Sequence, residues 1–440
     1  MASPHDSRAG SPQPLKLLAV SFCYPPLAYP RSVQVARLLK YLEASTVLVC
    51  ADEDEARKDA TLEPDAEAHL ARCLRVPFAV SGARRLANRL SYRLHRPLWN
   101  RLNLAPDKYG AWKSAALGAV AEFARGADGT DFDALVTFAQ PFTGHLLGLE
   151  LKRRFGLPWL AHFSDPWVDS PFNRYDETAR RLNLALEREV CETADLLAFT
   201  SAETIDLVLS KYPDEWRGRA RVLPQSFDPA LFERRANGER DSKLVVRYVG
   251  NFYGERTPAP LVRTLRAMLD ADARALDDVR FELVGVTDEE LVRRTGVSTL
   301  PDGLIETRPP VEYRESLRLM AESDGLLVID APADVSVFLP SKLIDYAGAG
   351  RPVLGLSPKG AAAALIDELG GLVADPSDDA SMLKATTAFL ALLRQRRRAG
   401  RAGEAWGAPD VRGRYEATRV AASFAEMLRG MLNERKATAR

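Results

Sequence analysis

Short apolar runs recur along most of this chain, and the stretches between them carry apolar residues at helical spacing. Uninterrupted apolar runs are typical of strands that are buried on both faces of a parallel sheet. Parallel strands need a crossover to reach one another, and the crossover is usually a helix. The pattern therefore predicts an α/β fold built on parallel sheets. The runs that carry this prediction are LKLLAVSF (15–22), TVLVC (46–50), DALVTFA (133–139), PWLAHF (158–163), LVVRYV (244–249) and GLLVID (325–330).

The length of the chain sets the number of domains. With 440 residues, the chain is long enough for two α/β domains of about 200 residues, each with its own core. A polar run, ERRANGERDSK (233–243), separates two groups of apolar runs and is typical of a domain boundary. We predict a first domain at 15–228 and a second domain at 229–412. The Pro- and Ser-rich start at 1–14 is predicted to be a disordered tail.

Charge and cysteine content narrow the function classes. The 60 Lys and Arg residues balance 60 Asp and Glu residues, so net charge gives no reason to expect nucleic acid as a partner. Cys23, Cys50, Cys73 and Cys191 form no CxxC pair, and we interpret them as reduced cysteines of a cytoplasmic protein. The chain has no apolar run of 18 residues or more and no signal-peptide pattern at its start, so we expect no membrane span.

One stretch, FLPSKLIDYAGAGRP (338–352), combines features that suit an anionic ligand. Pro340 and Ser341 are predicted to begin a helix, where backbone N–H groups lack intrahelical acceptors and the helix dipole attracts anions. Lys342 adds a full positive charge, and Asp345 follows on the same face, where its carboxylate could accept hydrogen bonds from sugar hydroxyls. This pattern suits a nucleotide-sugar site. It fits equally well a surface ion pair between Lys342 and Asp345 on an ordinary crossover helix.

This stretch resembles the donor-binding helix of retaining glycosyltransferases of family 4, which have the GT-B architecture. The resemblance rests on the Pro-Ser-Lys start, the acidic residue followed by Tyr, and the Gly-rich end. It implies two Rossmann-like, doubly wound domains that face each other across a cleft, with a final helix at 413–435 that packs back on the first domain. Many members carry two glutamates eight positions apart. Asp345 takes the second position, whereas Val337 stands at the first.

The loop after the apolar run 244–249 is a second candidate for donor binding. In the resembling family this loop carries an arginine and a lysine, five residues apart, that bind the diphosphate. The matching positions after Gly250 are Asn251 and Arg256. Arg256 is a two-pronged donor for phosphate, and Asn251 retains a hydrogen-bond donor without the charge. The alternative for Arg256 is a solvated loop arginine.

Two segments of the first domain are candidates for the acceptor side of the cleft. A Pro-rich loop that includes Pro26 and Arg31 follows the first apolar run, and the carboxyl edge of such a strand is where open α/β sheets bind ligands. His162 and Asp165 stand at the end of another strand, where the resembling enzymes carry a similar Asp-Pro-Trp that faces the donor. The alternatives are a rigid connection for the loop and simple strand-end capping for Asp165.

Two further segments could serve other partners. Asp52-Glu53-Asp54 imitates a divalent-metal motif, but it continues into a mixed-charge run that is typical of a solvated surface, so we expect no metal requirement. The segment 82–104 has six arginines and no acidic residue, with leucines every four positions. It could bind an anionic membrane surface on the cytoplasmic face or a lipid-linked acceptor, or its leucines could pack on the first domain.

The combined prediction is a metal-independent and cofactor-independent hexosyltransferase. By this resemblance it moves a sugar from a nucleoside diphosphate donor to a glycan or lipid-linked acceptor, with retention, in glycan, polysaccharide or glycolipid biosynthesis. Catalysis is assigned to Asp165 and His162. Two alternatives stay open: a sugar-nucleotide epimerase of the same architecture, and a non-catalytic protein that binds sugar nucleotides.

Overall fold

The structure is a computed structural model. It describes residues 14–53, 56–62, 66–78, 106–126, 131–171, 173, 175–232, 241–252 and 256–438. The arginine-rich segment 82–104 and the predicted tail up to residue 13 lie outside the described residues.

The first domain is a parallel sheet with helices on both faces. Its strand order is β3-β2-β1-β4-β5-β6-β7. The strands are β1 (Leu15–Ser21), β2 (Ala44–Glu53), β3 (Arg72–Phe78), β4 (Ala134–Ala139), β5 (Trp159–Phe163), β6 (Leu196–Phe199) and β7 (Ala220–Val222). The described helices are α1 (Pro30–Tyr41), α2 (Gly110–Phe123), α3 (Thr143–Phe155), α4 (Glu177–Thr193) and α5 (Ala202–Leu209).

The second domain repeats this design on a six-stranded parallel sheet of order β10-β9-β8-β11-β12-β13. The strands are β8 (Leu244–Val249), β9 (Val279–Val284), β10 (Ile305–Arg308), β11 (Gly325–Ile329), β12 (Val353–Leu356) and β13 (Leu372–Ala374). The described helices are α6 (Ala259–Ala271), α7 (Glu289–Arg294), α8 (Tyr313–Glu322), α9 (Ser341–Ala349), α10 (Ala361–Glu368) and α11 (Asp379–Arg398).

Both sheets are doubly wound, which confirms the predicted fold class. In each sheet the strand order reverses at the first strand: β1 lies between β2 and β4, and β8 lies between β9 and β11. Every residue of β4, β8 and β11 is buried, because helices cover both faces of the sheet. Loops that leave the sheet on either side of such a reversal open a crevice at the carboxyl ends of the strands, where ligands of open α/β sheets bind.

The chain returns to the first domain through α12 (Pro409–Gly413) and α13 (Ala417–Thr438). In α13, Phe424 and Leu428 are fully buried in a core shared with β1, β4 and α1. The ring of Phe424 lies 6.2 Å from that of Phe138 in β4. The final helix therefore packs on the first sheet, and it runs from 417 to 438 where the sequence predicted 413–435. None of the described helices combines the length and the apolar composition needed to cross a membrane.

Candidate functional site

A cleft of about 1130 Å³ lies between the two domains, and both contribute to its walls. Its lining comes from the loops after β1, β4, β5, β8 and β11, so the reversal points of both sheets open into it. All seven predicted donor-binding residues line this cleft, and so does Asp165: they are Asp165, Gly250, Asn251, Arg256, Pro340, Ser341, Lys342 and Asp345. Pro26, Arg31 and His162 are not among its lining residues.

Lys342 extends from the first turn of α9 along the end of β8. Its Nζ donates to Tyr248 Oη at 2.7 Å and lies 3.9 Å from the centroid of the same ring. Gly250 at the turn has φ 148°, a backbone conformation that favours glycine, and a Cβ there would stand 2.3 Å from this Nζ. Burial, followed by the positive charge of Arg256, lowers the pKa of Lys342 well below its usual value. The two basic side chains thus lie close together, and both line the cleft.

Arg256 is buried and ion-paired in the same wall. Its Nη2 donates to Asp330 Oδ1 at 2.7 Å, at the end of β11. The other oxygen of Asp330 accepts from Ser336 Oγ at 2.8 Å, so the carboxylate is fixed by the loop before α9. Arg256 is therefore not the solvated loop arginine of the alternative interpretation. A phosphate bound here would have to share the guanidinium with Asp330.

The start of α9 faces the cleft without a side-chain cap. Pro340 has non-helical dihedral angles (φ −60°, ψ 132°) and makes no side-chain hydrogen bond to the helix. The first-turn N–H groups of Ser341 and Lys342 have no intrahelical acceptor, and both residues line the cleft. The helix ends at Gly350 in the left-handed conformation (φ 58°), as expected for a helix C-terminus.

Asp345 is bound from the opposite domain. Its Oδ1 lies 3.1 Å from Nη2 of Arg37 in α1 and accepts from Tyr313 Oη at 3.2 Å. Arg37 also donates to Tyr313 Oη and to the carbonyl of Ser226. Burial raises the pKa of Asp345, and the charge of Arg37 opposes that shift. The alternative surface pair between Lys342 and Asp345 is wrong, because each residue has a different partner.

Arg37 was not among the predicted site residues, because an arginine on a helix is usually exposed to solvent. Its local signal is an arginine directly before the buried pair Leu38 and Leu39. An arginine there must find acceptors inside the protein, but the sequence does not show which ones.

At the end of β5, Asp165 lies at the cleft and His162 lies behind it. Arg31 Nη2 is 2.5 Å from His162 Nδ1. Because arginine can only donate, Nδ1 accepts and the ring is neutral with its proton on Nε2. Burial and the charge of Arg31 lower the pKa of His162 well below its usual value. The structure thus places His162, 3% exposed, as the support of Arg31 and away from the cleft wall.

The carboxylate of Asp165 lies at the cleft, and few neighbouring groups balance its negative charge. Ser164 Oγ donates to its Oδ2 at 2.8 Å, and no ion pair to Asp165 is found among the described residues. Burial raises the pKa of Asp165, while the Ser164 hydrogen bond and the charge of Arg31 act in the opposite direction. Asp165 is therefore a carboxylate whose lone pairs remain available at the wall of the first domain.

Asn251 holds the turn after β8. Its Oδ1 accepts from Phe252 N at 2.9 Å and from Thr287 Oγ1 at 2.6 Å. These bonds join the loops after β8 and β9, where Gly250 and Gly285 approach closely: a Cβ on Gly285 would lie 2.9 Å from the Gly250 carbonyl. The side-chain oxygen of Asn251 thus stabilises the loop, beside its predicted role toward a diphosphate.

One end of the cleft is closed by direct contacts between the domains. Asp59 accepts from the backbone N–H of Tyr313 at 2.8 Å, and Arg314 Nε donates to the carbonyl of Thr61 at 3.0 Å. The loop after β2 therefore packs against the start of α8. In the nearby run that imitates a divalent-metal motif, Asp52 pairs with Lys58, Glu53 accepts from Tyr29, and Asp54 lies outside the described residues. No cluster of three metal-ligating side chains occurs in the described part of the chain.

Two facing Rossmann-like domains with a cleft at the carboxyl ends of their strands define the GT-B fold. The chain is similar in structure to sucrose-phosphate synthase from Thermosynechococcus elongatus, with TM-score 0.65 and 17% identity over 96% of this chain and 100% of the other. An E. coli trehalose-6-phosphate protein bound with UDP-2-fluoro glucose gives TM-score 0.61 and 14% identity, covering 94% and 98% of the two chains. Anabaena HepE in complex with UDP gives 0.57 and 14%, covering 94% and 100%.

No protein-family model matches the chain, and a search of curated proteins gives no significant match. At these identities the structural similarity establishes the fold, and function must be argued from the cleft itself.

Proposed function

We propose that this chain is a glycosyltransferase that moves a sugar from a nucleoside diphosphate sugar to an acceptor hydroxyl. The observation that carries the proposal is the convergence of Lys342, Arg256 and the uncapped start of α9 on one wall of an interdomain cleft. Cleavage of the bond between sugar and diphosphate places negative charge on the leaving group. Preorganised positive groups aimed at that charge lower the barrier without a metal ion.

The rest of the nucleotide is proposed to lie between α9 and α8. Asp345 accepts hydrogen bonds from the ribose hydroxyls, and Arg37 orients its carboxylate from the first domain. Two of the similar structures hold UDP or a UDP sugar in the same fold, which supports a nucleotide-sugar donor in this cleft. Val337 stands where the resembling family carries the first of its two glutamates, so this chain has no carboxylate at that position.

Asp165 is proposed to act on the acceptor side. It could accept the proton of the attacking hydroxyl, attack the sugar itself, or stabilise a positively charged sugar in the transition state. Retention, membership of family 4 and a role in cytoplasmic glycan, polysaccharide or glycolipid synthesis rest on the sequence resemblance. His162 is proposed to act indirectly, by holding Arg31.

The pairing of carboxylates favours transfer over epimerisation. Of the four aspartates that line the described cleft, Asp330 is paired with Arg256, Asp345 with Arg37, and Asp59 accepts backbone and hydroxyl hydrogen bonds. Asp165 is left as a lone carboxylate. An epimerase needs an acid and a base in the same site, whereas a transferase that uses the leaving phosphate as a base needs neither.

Binding of nucleoside diphosphates tests the site directly. We expect Lys342→Ala and Arg256→Ala each to weaken the affinity for the preferred diphosphate among UDP, GDP and ADP by about 10- to 100-fold, since each removes a hydrogen bond to a charged group worth about 1.5–3 kcal/mol. Titration calorimetry measures the affinity. Arg274→Ala, at an exposed surface position, is the matched control and should have no effect.

Unchanged diphosphate affinity in both variants would contradict the proposed donor site. Mass spectrometry of products from a panel of nucleotide sugars with a glycan and lipid extract tests the reaction. Product formed from donor alone would favour the epimerase, and donor binding without product would favour the non-catalytic sugar-nucleotide-binding protein.

A further inference from the structure

The wall of the first domain that carries Asp165 is built from amide side chains at neighbouring strand ends. Gln140 directly follows β4 and Asp165 follows β5, while Gln34 lies on α1 after β1. These three strands are adjacent in the sheet, and all three side chains line the cleft together with Ser170. The wall opposite the proposed diphosphate site therefore combines amide, hydroxyl and carboxylate groups.

Buried Arg31 fixes the orientation of this wall. Its Nη1 donates to Gln34 Oε1 at 3.2 Å, while its Nη2 is held by His162. With the amide oxygen of Gln34 engaged, the amide nitrogen is the group that Gln34 offers as a donor. The positive charge of Arg31 stays in the core, so it acts on the wall through Gln34 and through its field on Asp165.

Among the described residues at the ends of β1, β4 and β5, Asp165 is the charged group that lines the cleft. The described lining cations of the first domain lie elsewhere: Arg37 on α1 is engaged by Asp345, and Arg57 lies on the loop after β2. A phosphate bound here would lie against a carboxylate of like charge. A sugar hydroxyl both donates and accepts, so it matches an amide donor and a carboxylate acceptor side by side.

From this arrangement we propose that the acceptor is an uncharged polyhydroxylated group, such as a neutral glycan terminus, bound by Gln34, Gln140 and Asp165. The inference rests on the proposed glycosyl transfer and adds the class of acceptor. The proposed acceptor class distinguishes this chain from the sucrose-phosphate synthase of similar fold, whose name specifies a phosphorylated product.

The test measures sugar binding to the chain saturated with its preferred nucleoside diphosphate. Neutral sugars (glucose, maltose and cellobiose) and the sugar phosphates glucose 6-phosphate and fructose 6-phosphate are compared by saturation-transfer NMR. We expect binding of at least one neutral sugar and at least tenfold weaker binding of both phosphates. Gln34→Leu should weaken the neutral sugar about tenfold and leave diphosphate affinity unchanged.

A variant that gains binding gives a result that misfolding of the variant cannot explain. Gln140 is exposed, so Gln140→Lys should fold and should improve sugar phosphate binding several-fold by placing a cation beside Asp165. Sugar phosphate binding equal to or tighter than neutral sugar in the unaltered chain, or an unaffected Gln34→Leu variant, would overturn the inference. Absence of any diphosphate binding would instead count against the proposed function, so the two failures are distinguishable.

Discussion

Three charged residues in the cleft differ in how their charge is balanced. Arg256 is paired within its own domain by Asp330, and Asp345 is paired across the cleft by Arg37. Lys342 contacts a phenol and lies near a second cation, and none of the described carboxylates forms an ion pair with it. A partly buried ammonium without a counter-anion favours its neutral form, and it becomes charged when an anion arrives.

Binding of a diphosphate should therefore be accompanied by proton uptake at Lys342. Burial and Arg256 lower the pKa of Lys342, and the anion raises it again, so protons are taken up at any pH between the two pKa values. Calorimetric titration in buffers of different ionisation enthalpy measures this uptake. Lys342→Met should abolish it, and an observed binding enthalpy that is the same in all buffers for the unaltered chain would contradict the prediction.

At the scale of single helices, Pro and Gly residues set where a helix begins and ends. Helix α9 begins after Pro340 and ends at Gly350, and both boundaries follow from the preferred backbone angles of those residues. Glycines inside helices have different causes. Gly118 in α2 is exposed with nothing within 4 Å of an added Cβ, whereas Gly148 in α3 packs against β4 and β5.

The two glycines should respond in opposite ways to alanine. Gly118→Ala should raise the free energy of unfolding by about 0.5–1 kcal/mol, since alanine loses less backbone entropy in a helix. Gly148→Ala should lower it by about 1–3 kcal/mol, because the new Cβ would lie 2.4 Å from Thr137 Cγ2 and 2.9 Å from the Trp159 ring. Urea denaturation measures both free energies of unfolding. A change of the same sign in the two variants would contradict the prediction.

At the scale of the whole molecule, α1 joins the two domains. Arg37 contacts Asp345, Tyr313 and the carbonyl of Ser226, and Lys40 pairs with Asp228 at 2.7 Å. One helix of the first domain thus binds both the second domain and the segment 226–228 directly before it. In this arrangement of the domains, Arg37 from the first domain contacts Asp345 in the wall of the second domain.

Breaking the pair between Arg37 and Asp345 should cost stability and donor affinity together. Arg37→Met leaves a buried carboxylate uncompensated and should destabilise the fold by about 3–5 kcal/mol. The double variant Arg37→Met with Asp345→Asn should cost less than the sum of the single changes, as a double-mutant cycle in urea measures. The exposed pair Arg318–Glu322 is the control, with a coupling of about 0.3–0.5 kcal/mol. Additive effects at Arg37 and Asp345 would show that the pair is not coupled.

Helices and strands that depend on neighbouring residues could be predicted from the sequence. The apolar runs predicted the central strands, and Pro340 predicted the start of α9 to within a residue. His162 was less predictable: it stands at a strand end, as a catalytic histidine would, but its side chain turns into the core, where its ring lies 5.7 Å from that of Phe138. The sequence does not show which side of a fully buried strand meets the cleft, because both sides are apolar.

The sequence by itself determined the strand and helix periods, the turns and the presence of cations near two strand ends, since these depend on neighbours within a few residues. Only the tertiary structure decided that Asp345 meets Arg37 and that Arg256 meets Asp330. It also decided that Lys342 lies on Tyr248, with none of the described carboxylates in an ion pair with it. These partners are far apart in the chain, and the energy of a buried charge depends on which groups the fold brings within a few ångströms of it.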